Sequence, residues 1–318
     1  MSRSLARLLL EHLPWLLAVA ILTVIVLYVP GFQHLDYWLN LSEQYFAPAV
    51  LALALTPIVL TGGIDLSIGS VTVFVSVVIG VLLRDAQWSI PAAMSAGLLA
   101  GLLAGLFNGG LVTAGVVPLV ATLATRELFR GLAFSLSGDA PPTRLPAELV
   151  EFWDTPVLGM PLPLVVIGVL FVVTYVFAHH TWVGRALYAL GDNEVAARFA
   201  GLPVRRIKLA IYAASGALAG LCGMAVVLRY GSAKADAEKS LELTAIACVV
   251  LGGIRITGGA GHVAGTLLGI LTVAALLAGL NAVPPNGRDM VLGVLLIGVA
   301  VSNEASSRWA ARHALASS

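Results

Sequence analysis

The sequence predicts an all-α, polytopic membrane protein of about ten transmembrane helices, with both ends of the chain in the cytoplasm. Three observations carry this. Of 318 residues, 59% are hydrophobic and 11% charged, where soluble domains run near half and a quarter. Mean hydropathy is +0.95, so the chain lacks the charged skin a soluble fold of this length needs. The apolar residues fall into runs that approach the roughly 20 needed to cross a bilayer. The basic residues then cluster between particular runs.

In chain order the runs are 13–29, 45–60, 71–83, 90–107, 116–136, 162–178, 209–228, 241–254, 263–280 and 290–301. The first follows Arg3 and Arg7 and has no small-residue cleavage site, so it reads as a membrane helix. The shorter runs are interrupted by glycine, as expected of helices that break inside a membrane around a pathway. Residues 179–208 hold Arg185, Arg198, Arg205, Arg206 and Lys208, which places that loop in the cytoplasm. Residues 138–161 hold Asp139, Glu148, Glu151 and Asp154 against Arg144 alone, which suits the outside. The mixed loop 229–240 falls outside by the same count. Arg308 and Arg312 agree with a cytoplasmic end. No linker divides the chain, so residues 1–318 read as one membrane domain in contact with lipid. The net charge of +1 identifies no partner, and nothing points to nucleic acid. Cys222 and Cys248 lie in apolar runs and read as buried free thiols.

Three stretches carry chemistry. Residues 60–70 lie between two membrane runs and contain Gly62, Gly63 and Gly69, which permit backbone that a helix interior avoids. Asp65 is the lone carboxylate between Glu43 and Asp85. A charge at membrane depth costs roughly 2.5–3.5 kcal/mol on insertion scales and faces a cavity or a partner. Asp65 or the Ser67 hydroxyl caps a helix starting near Ile68, or Asp65 meets a solute directly.

The second stretch, about 184–204, predicts a short amphipathic surface helix. Asp192 or Asn193 caps it, Gly201 ends it, and Pro203 bars continuation. Ala196, Ala197 and Ala200 give a smooth face for close approach by another protein; an ordinary surface loop is the competing reading. The third stretch, 246–262, carries five glycines within ten residues. Its Gly252-Gly253-Ile254-Arg255 echoes Gly62-Gly63-Ile64-Asp65. The three lysines, Lys208, Lys234 and Lys239, fit no phosphate-loop pattern, so no ATP site is expected; the glycines suit close helix packing and re-entry into the membrane. Arg126, Glu127 and Arg130 can pair along one helix face, lining a pathway or a subunit contact, or forming an interfacial ion pair. Asn108 and Thr122 are polar groups of otherwise apolar spans. His179 and His180 lack further ligands, so no metal site is expected.

These residues resemble the permease subunits of bacterial ABC importers for monosaccharides (the ribose, xylose and rhamnose group) and for autoinducer-2. Residues 61–70 are similar to that family's Gly-Ile-Asp-Leu-Ser segment, and 117–123 to its Pro-Leu-x-x-Thr-Leu run. Residues 183–201 resemble its Gly-Arg through Ala-Ala to Gly loop, and 242–265 its Glu-Leu to Gly-Gly-x-Gly segment. Residues 229–236 are similar to a stretch of rhamnose and autoinducer-2 permeases. The resemblance implies a type II importer fold and a second permease, identical or paired. It also implies two ATPase subunits that use ATP and Mg, with no cofactor on this chain, and a periplasmic sugar-binding protein. Glu194, Ala196, Ala197 and Gly201 match a helix that couples to the ATPase. Where the family carries Glu ahead of the alanine pair this chain has Val195, with Glu194 one residue early. Pathway or helix-break candidates are Gly62, Gly63, Asp65, Ser67, Asn108, Thr122, Gly252 and Gly253. The implied function is ATP-driven import of a sugar-like solute by a subunit that is not itself an enzyme. A branched-chain amino-acid permease and an ion-coupled transporter are the alternatives.

Overall fold

The structure is a computed structural model that describes residues 13–138, 141–233 and 240–280, with separate positions between 287 and 301. Its helices are α1 (Leu13–Tyr28), α2 (Leu35–Gln44), α3 (Phe46–Leu60), α4 (Ile68–Arg84), α5 (Ile90–Thr113), α6 (Pro118–Ser137) and α7 (Glu148–Asp154). They continue with α8 (Leu162–His180), α9 (Trp182–Asp192), α10 (Glu194–Phe199), α11 (Val204–Tyr230), α12 (Leu241–Leu251) and α13 (Val263–Gly279). No strand occurs among the described residues; Val157 and Met160 form one isolated bridge.

The apolar runs become helices, and their lengths separate two kinds. Helices α5, α8 and α11 are each long and apolar enough to cross a membrane, and α2 with α3, bent by 69°, makes a fourth candidate. Helix α6 has the length but carries Arg126, Glu127 and Arg130. Helices α1, α4, α12 and α13 are apolar but shorter. At 1.5 Å per residue, α12 rises only about 16 Å, half of a roughly 30 Å hydrocarbon core. The tenth run, 290–301, is described only at separate positions. Arg3, Arg7, Arg308 and Arg312 lie outside the described residues, as do Asp139, Lys234, Asp236 and Lys239.

Two expectations are corrected. Residues 179–208 are not a loop: α9, α10 and the first turn of α11 occupy them, so Arg205, Arg206 and Lys208 stand on a helix. Their charges had masked a helix that continues five residues before the apolar run begins. The acidic stretch 138–161 likewise contains α7, which buries Leu149 and Trp153. Phe46 packs edge-on against that Trp153 ring at 5.4 Å.

Helix α12 packs on both α3 and α13, and α11 packs on α5, α4 and α3. The α5–α11 pair is the most intimate, because glycines face each other on both sides. A Cβ at Gly105 would overlap the Tyr212 carbonyl oxygen, and one at Gly216 would overlap the Gly101 carbonyl oxygen. Small residues four apart let two backbones meet in lipid, where no hydrophobic effect drives helices together. At the far end of α11, the Leu145 N–H donates to the Gly231 carbonyl at 3.0 Å and the Ala233 N–H to Pro142 at 2.8 Å. The acidic loop and the 229–240 loop thus meet at one end, while Val204 and α10 lie at the other.

Replacing Gly105 with leucine should cost at least about 2 kcal/mol by overpacking. Gly110→Leu, in the same helix but with open space around it, should be nearly neutral. Melting curves of the two purified variants in one detergent check this; equal midpoints would remove the α5–α11 contact as a stability determinant.

Candidate functional site

Helix α3 ends inside the protein, and its last carbonyls need donors. Gly62 adopts the left-handed conformation (φ +73°). The Gly62 N–H donates to Val59 at 2.9 Å and the Gly63 N–H to Ile58 at 3.0 Å, the pair of bonds that closes a Schellman end. The chain then runs unhelical to α4, and on this stretch Asp65 folds back. Its Oδ1 accepts from the Ser67 N–H at 2.9 Å and the Ser67 hydroxyl at 2.6 Å. Asn108 of α5 donates through Nδ2 to Ser67 Oγ at 2.6 Å. The Ile64 carbonyl accepts from Thr122 of α6 at 3.3 Å and Tyr212 of α11 at 3.4 Å.

The candidates Asp65, Ser67, Asn108 and Thr122 therefore form one cluster, all at 1% exposure or less. Tyr212 and Ser215 belong to it and were missed; both sit in a helix whose small residues read only as packing. The Ser215 hydroxyl lies beside the Asp65 carboxyl without reaching a hydrogen bond, and Asn108 Oδ1 is also unpartnered. Asp65 is not the N-cap of α4. That position is Ser67, whose side chain makes no cap bond; the carboxylate instead takes the Ser67 N–H in a local turn.

The 62/252 echo has a structural counterpart, shifted by one residue. Helix α12 ends with Gly253 left-handed (φ +83°); the Gly253 N–H donates to Val250 and the Ile254 N–H to Val249. Gly253 thus matches Gly62, and Ile254 matches Gly63. Gly252 serves a different purpose: a Cβ there would overlap Gly265 of α13. The following turn closes onto the first break. The Gly259 N–H donates to the Leu60 carbonyl at 3.0 Å, and Gly191 at the end of α9 packs against both Leu60 and Gly259 so closely that a Cβ would overlap them. Tyr188 of α9 donates to the Gly261 carbonyl at 3.1 Å. The His179 and His262 rings stack with centroids 4.0 Å apart. No three-residue group fit for a metal occurs among the described residues.

Directly after this junction comes α10. Asn193 is its cap, its Oδ1 accepting from the Ala196 N–H at 2.9 Å. Gly201 (φ +82°) closes the other end, with the Leu202 N–H donating to Ala197 and the Gly201 N–H to Arg198. Of the expected smooth face, Ala197 is buried inward, while Ala196 and Ala200 are exposed. The outward face is dominated by Val195 (64% exposed) and Phe199 (89%), which the alanine pattern did not reveal. Glu194 is occupied within the chain: Lys208 of α11 lies 2.7 Å and Arg198 3.3 Å from its carboxylate.

Arg126 meets Glu127 at 3.5 Å, but its closer partner is Glu242 of α12, at 2.9 Å. Glu242 is buried and also fills the space over Gly69 at the start of α4. Arg126 thus pairs within its own helix and, more closely, across to α12.

Short apolar helices that end on glycine around buried polar groups are a pattern of membrane permeases. The chain belongs to the family described as branched-chain amino acid transport system / permease component, which it matches over residues 37–300. It is 40% identical to the ribose import permease protein RbsC of Bacillus subtilis, over 83% of each chain. It is 34% identical to the autoinducer 2 import system permease protein LsrD of Escherichia coli, over 94% of this chain and 97% of that one. The LsrD of Shigella flexneri matches to the same extent. No solved structure matches.

Asp65→Asn should preserve the fold, because an amide oxygen can accept both Ser67 bonds. Ser67→Ala should cost about 1–3 kcal/mol by stranding the Asn108 amide and removing one of the two donors to the Asp65 carboxyl. Melting and uptake measured on the same preparations check both; an Asp65→Asn protein that melts normally but transports nothing would give the carboxylate a role beyond holding the break.

Proposed function

We propose that the chain is the membrane-spanning subunit of an ATP-driven importer for ribose or a similar sugar-like solute, autoinducer 2 included. The observation that carries this is the similarity to two import permeases over at least 83% of the chain. It is stronger than the family description's mention of branched-chain amino acids, which names the group as a whole. The reading has about ten spans in the type II importer arrangement, residues 1–318 as one domain, and both ends in the cytoplasm.

ATP and Mg belong to separate ATPase subunits; this chain forms no covalent intermediate. A periplasmic binding protein delivers the solute onto the loops around Leu145 and Gly231. Helix α10 is the coupling element. Its inner side is fixed by the Glu194–Lys208 bridge, while Phe199 and Val195 stand outward with Ala196 and Ala200 beside them. Exposed aromatic side chains in such settings act as anchors in a partner's pocket. The second permease faces α6. Midway along that helix Glu127 and Arg130 are exposed, and charges at membrane depth front water or protein rather than lipid.

Reconstitution with the ATPase and binding protein tests the reading. Uptake of labelled ribose should need ATP and survive a protonophore; uptake abolished by the protonophore with ATP present would mark an ion-coupled transporter. Phe199→Asp should weaken ATPase association by about thirtyfold, the scale of an interface anchor, with the permease's own melting unchanged. Gly201→Val should also weaken it, by straining a left-handed position at about 1–2 kcal/mol. Normal co-purification of both variants would place the docking surface elsewhere.

A further inference from the structure

Beside α10, and on a different face from Phe199, lies a half-open cavity of about 310 Å³, within the size range of small-ligand sites. Its polar side is formed by Glu194, Arg198, Arg205 and Lys208, its apolar side by Val112 and Val117 among others. Glu194 is shared by Arg198 and Lys208. Arg205 has no ion pair among the described residues, so three cations face one carboxylate. Arg205 and Lys208 stand in the first turns of α11 and Pro118 opens α6, so the positive ends of two helices add to the same field.

We propose that this cavity holds the phosphate of an anionic phospholipid headgroup from the cytoplasmic leaflet. Arg205 is exposed and makes no ion pair among the described residues, so its guanidinium is open to a phosphate, whose oxygens such groups bind in pairs. The apolar side continues into the membrane. From Val117 (61% exposed), which lines the cavity, α6 presents Val120 (58%) one turn further on, a track for an acyl chain. Basic pockets between helices on the cytoplasmic side suit anionic headgroups. An acidic side chain from the ATPase would answer Arg205 but leave the apolar track uncovered. The inference rests on the proposed function only for which end is cytoplasmic.

The test uses the full chain alone in mild detergent, without ATPase or solute, so failure of the transport reading cannot imitate it. Melting is followed against added phosphatidylglycerol, phosphatidylcholine or inorganic phosphate. Phosphatidylglycerol should raise the midpoint and the other two should not. Arg205→Gln should need about tenfold more phosphatidylglycerol for the same rise, on the scale of one charged hydrogen bond. Arg206→Gln, one residue on but outside the cavity, should respond like the unaltered chain. Equal effects of the two lipids, or an unaltered Arg205→Gln response, would overturn the proposal. Inorganic phosphate acting as well as the lipid, with the same Arg205 dependence, would make this a free-anion site and overturn the lipid assignment. An Arg205→Gln chain that keeps the lipid response but loses ATPase binding would assign the pocket to the ATPase.

Discussion

A helix that stops in a buried interior leaves carbonyl groups that no water can reach, and each must find a donor within the protein. Both α3 and α12 meet this demand in the same way. A left-handed glycine, Gly62 or Gly253, turns its own N–H and the next one back onto the last helical turn. The Leu60 carbonyl, still uncovered, takes the Gly259 N–H. The first break is therefore closed partly by its own residues and partly by the turn that follows the second. Moving the first by a residue would strand the Leu60 carbonyl in the interior. The positions of α4, α13 and the polar cluster around Asp65 all follow from where these two helices stop.

The same constraint explains how much could be read in advance. Apolar runs and glycine clusters are local signals, so spans and breaks were visible, as were the Asn193 cap and the Gly201 stop of α10. The glycine echo was visible too, but in the wrong register. Letter matching aligned Gly62 with Gly252, whereas hydrogen bonding aligns Gly62 with Gly253, because Gly252 is required by the approach of α13. Contacts between distant segments left no signal. Asn108 reaches Ser67 across 41 residues, and nothing local announces Tyr212 as a partner of Ile64. Glu242 lies far along the chain from Arg126, and a helix-face rule drew Arg126 toward its neighbours instead. Charge also misled: the basic run 205–208 read as loop because its helix begins in polar residues and turns apolar later.

The exposed helix and the buried cluster are mechanically close. From α10 the chain runs back through Asn193 and Asp192 to Gly191, which touches Leu60 and Gly259 with no side chain between. Leu60 is five residues from Asp65. Backbone contact of this kind transmits displacement with little slack, since packed interiors deform by switching arrangements rather than by yielding smoothly. A push on Phe199 would thus reach the Asp65–Ser67–Asn108 set through a few rigid steps, and the unpartnered Asn108 Oδ1 and Ser215 Oγ are acceptors available to a second arrangement.

Charge placement assigns the remaining surfaces. At depth, the carboxylate of Glu242 is buried and bridged by Arg126, so it joins α6 to α12 and to the start of α4 rather than serving a solute. Truncating one partner of such a bridge leaves the other uncompensated in the interior, which is costly by several kcal/mol. Glu127 and Arg130 differ: they sit on the same helix at similar depth but are exposed, so they contribute to what α6 faces, not to what holds it. Helix α5 presents Leu99, Leu103 and Phe107 with no charge among them, the composition of a surface in contact with lipid. Helix α6 also exposes Val120, Leu123, Leu128 and Leu132, so its charges interrupt an apolar outward surface, and the cavity that ends in Arg205 lies between the end of α5 and the start of α6.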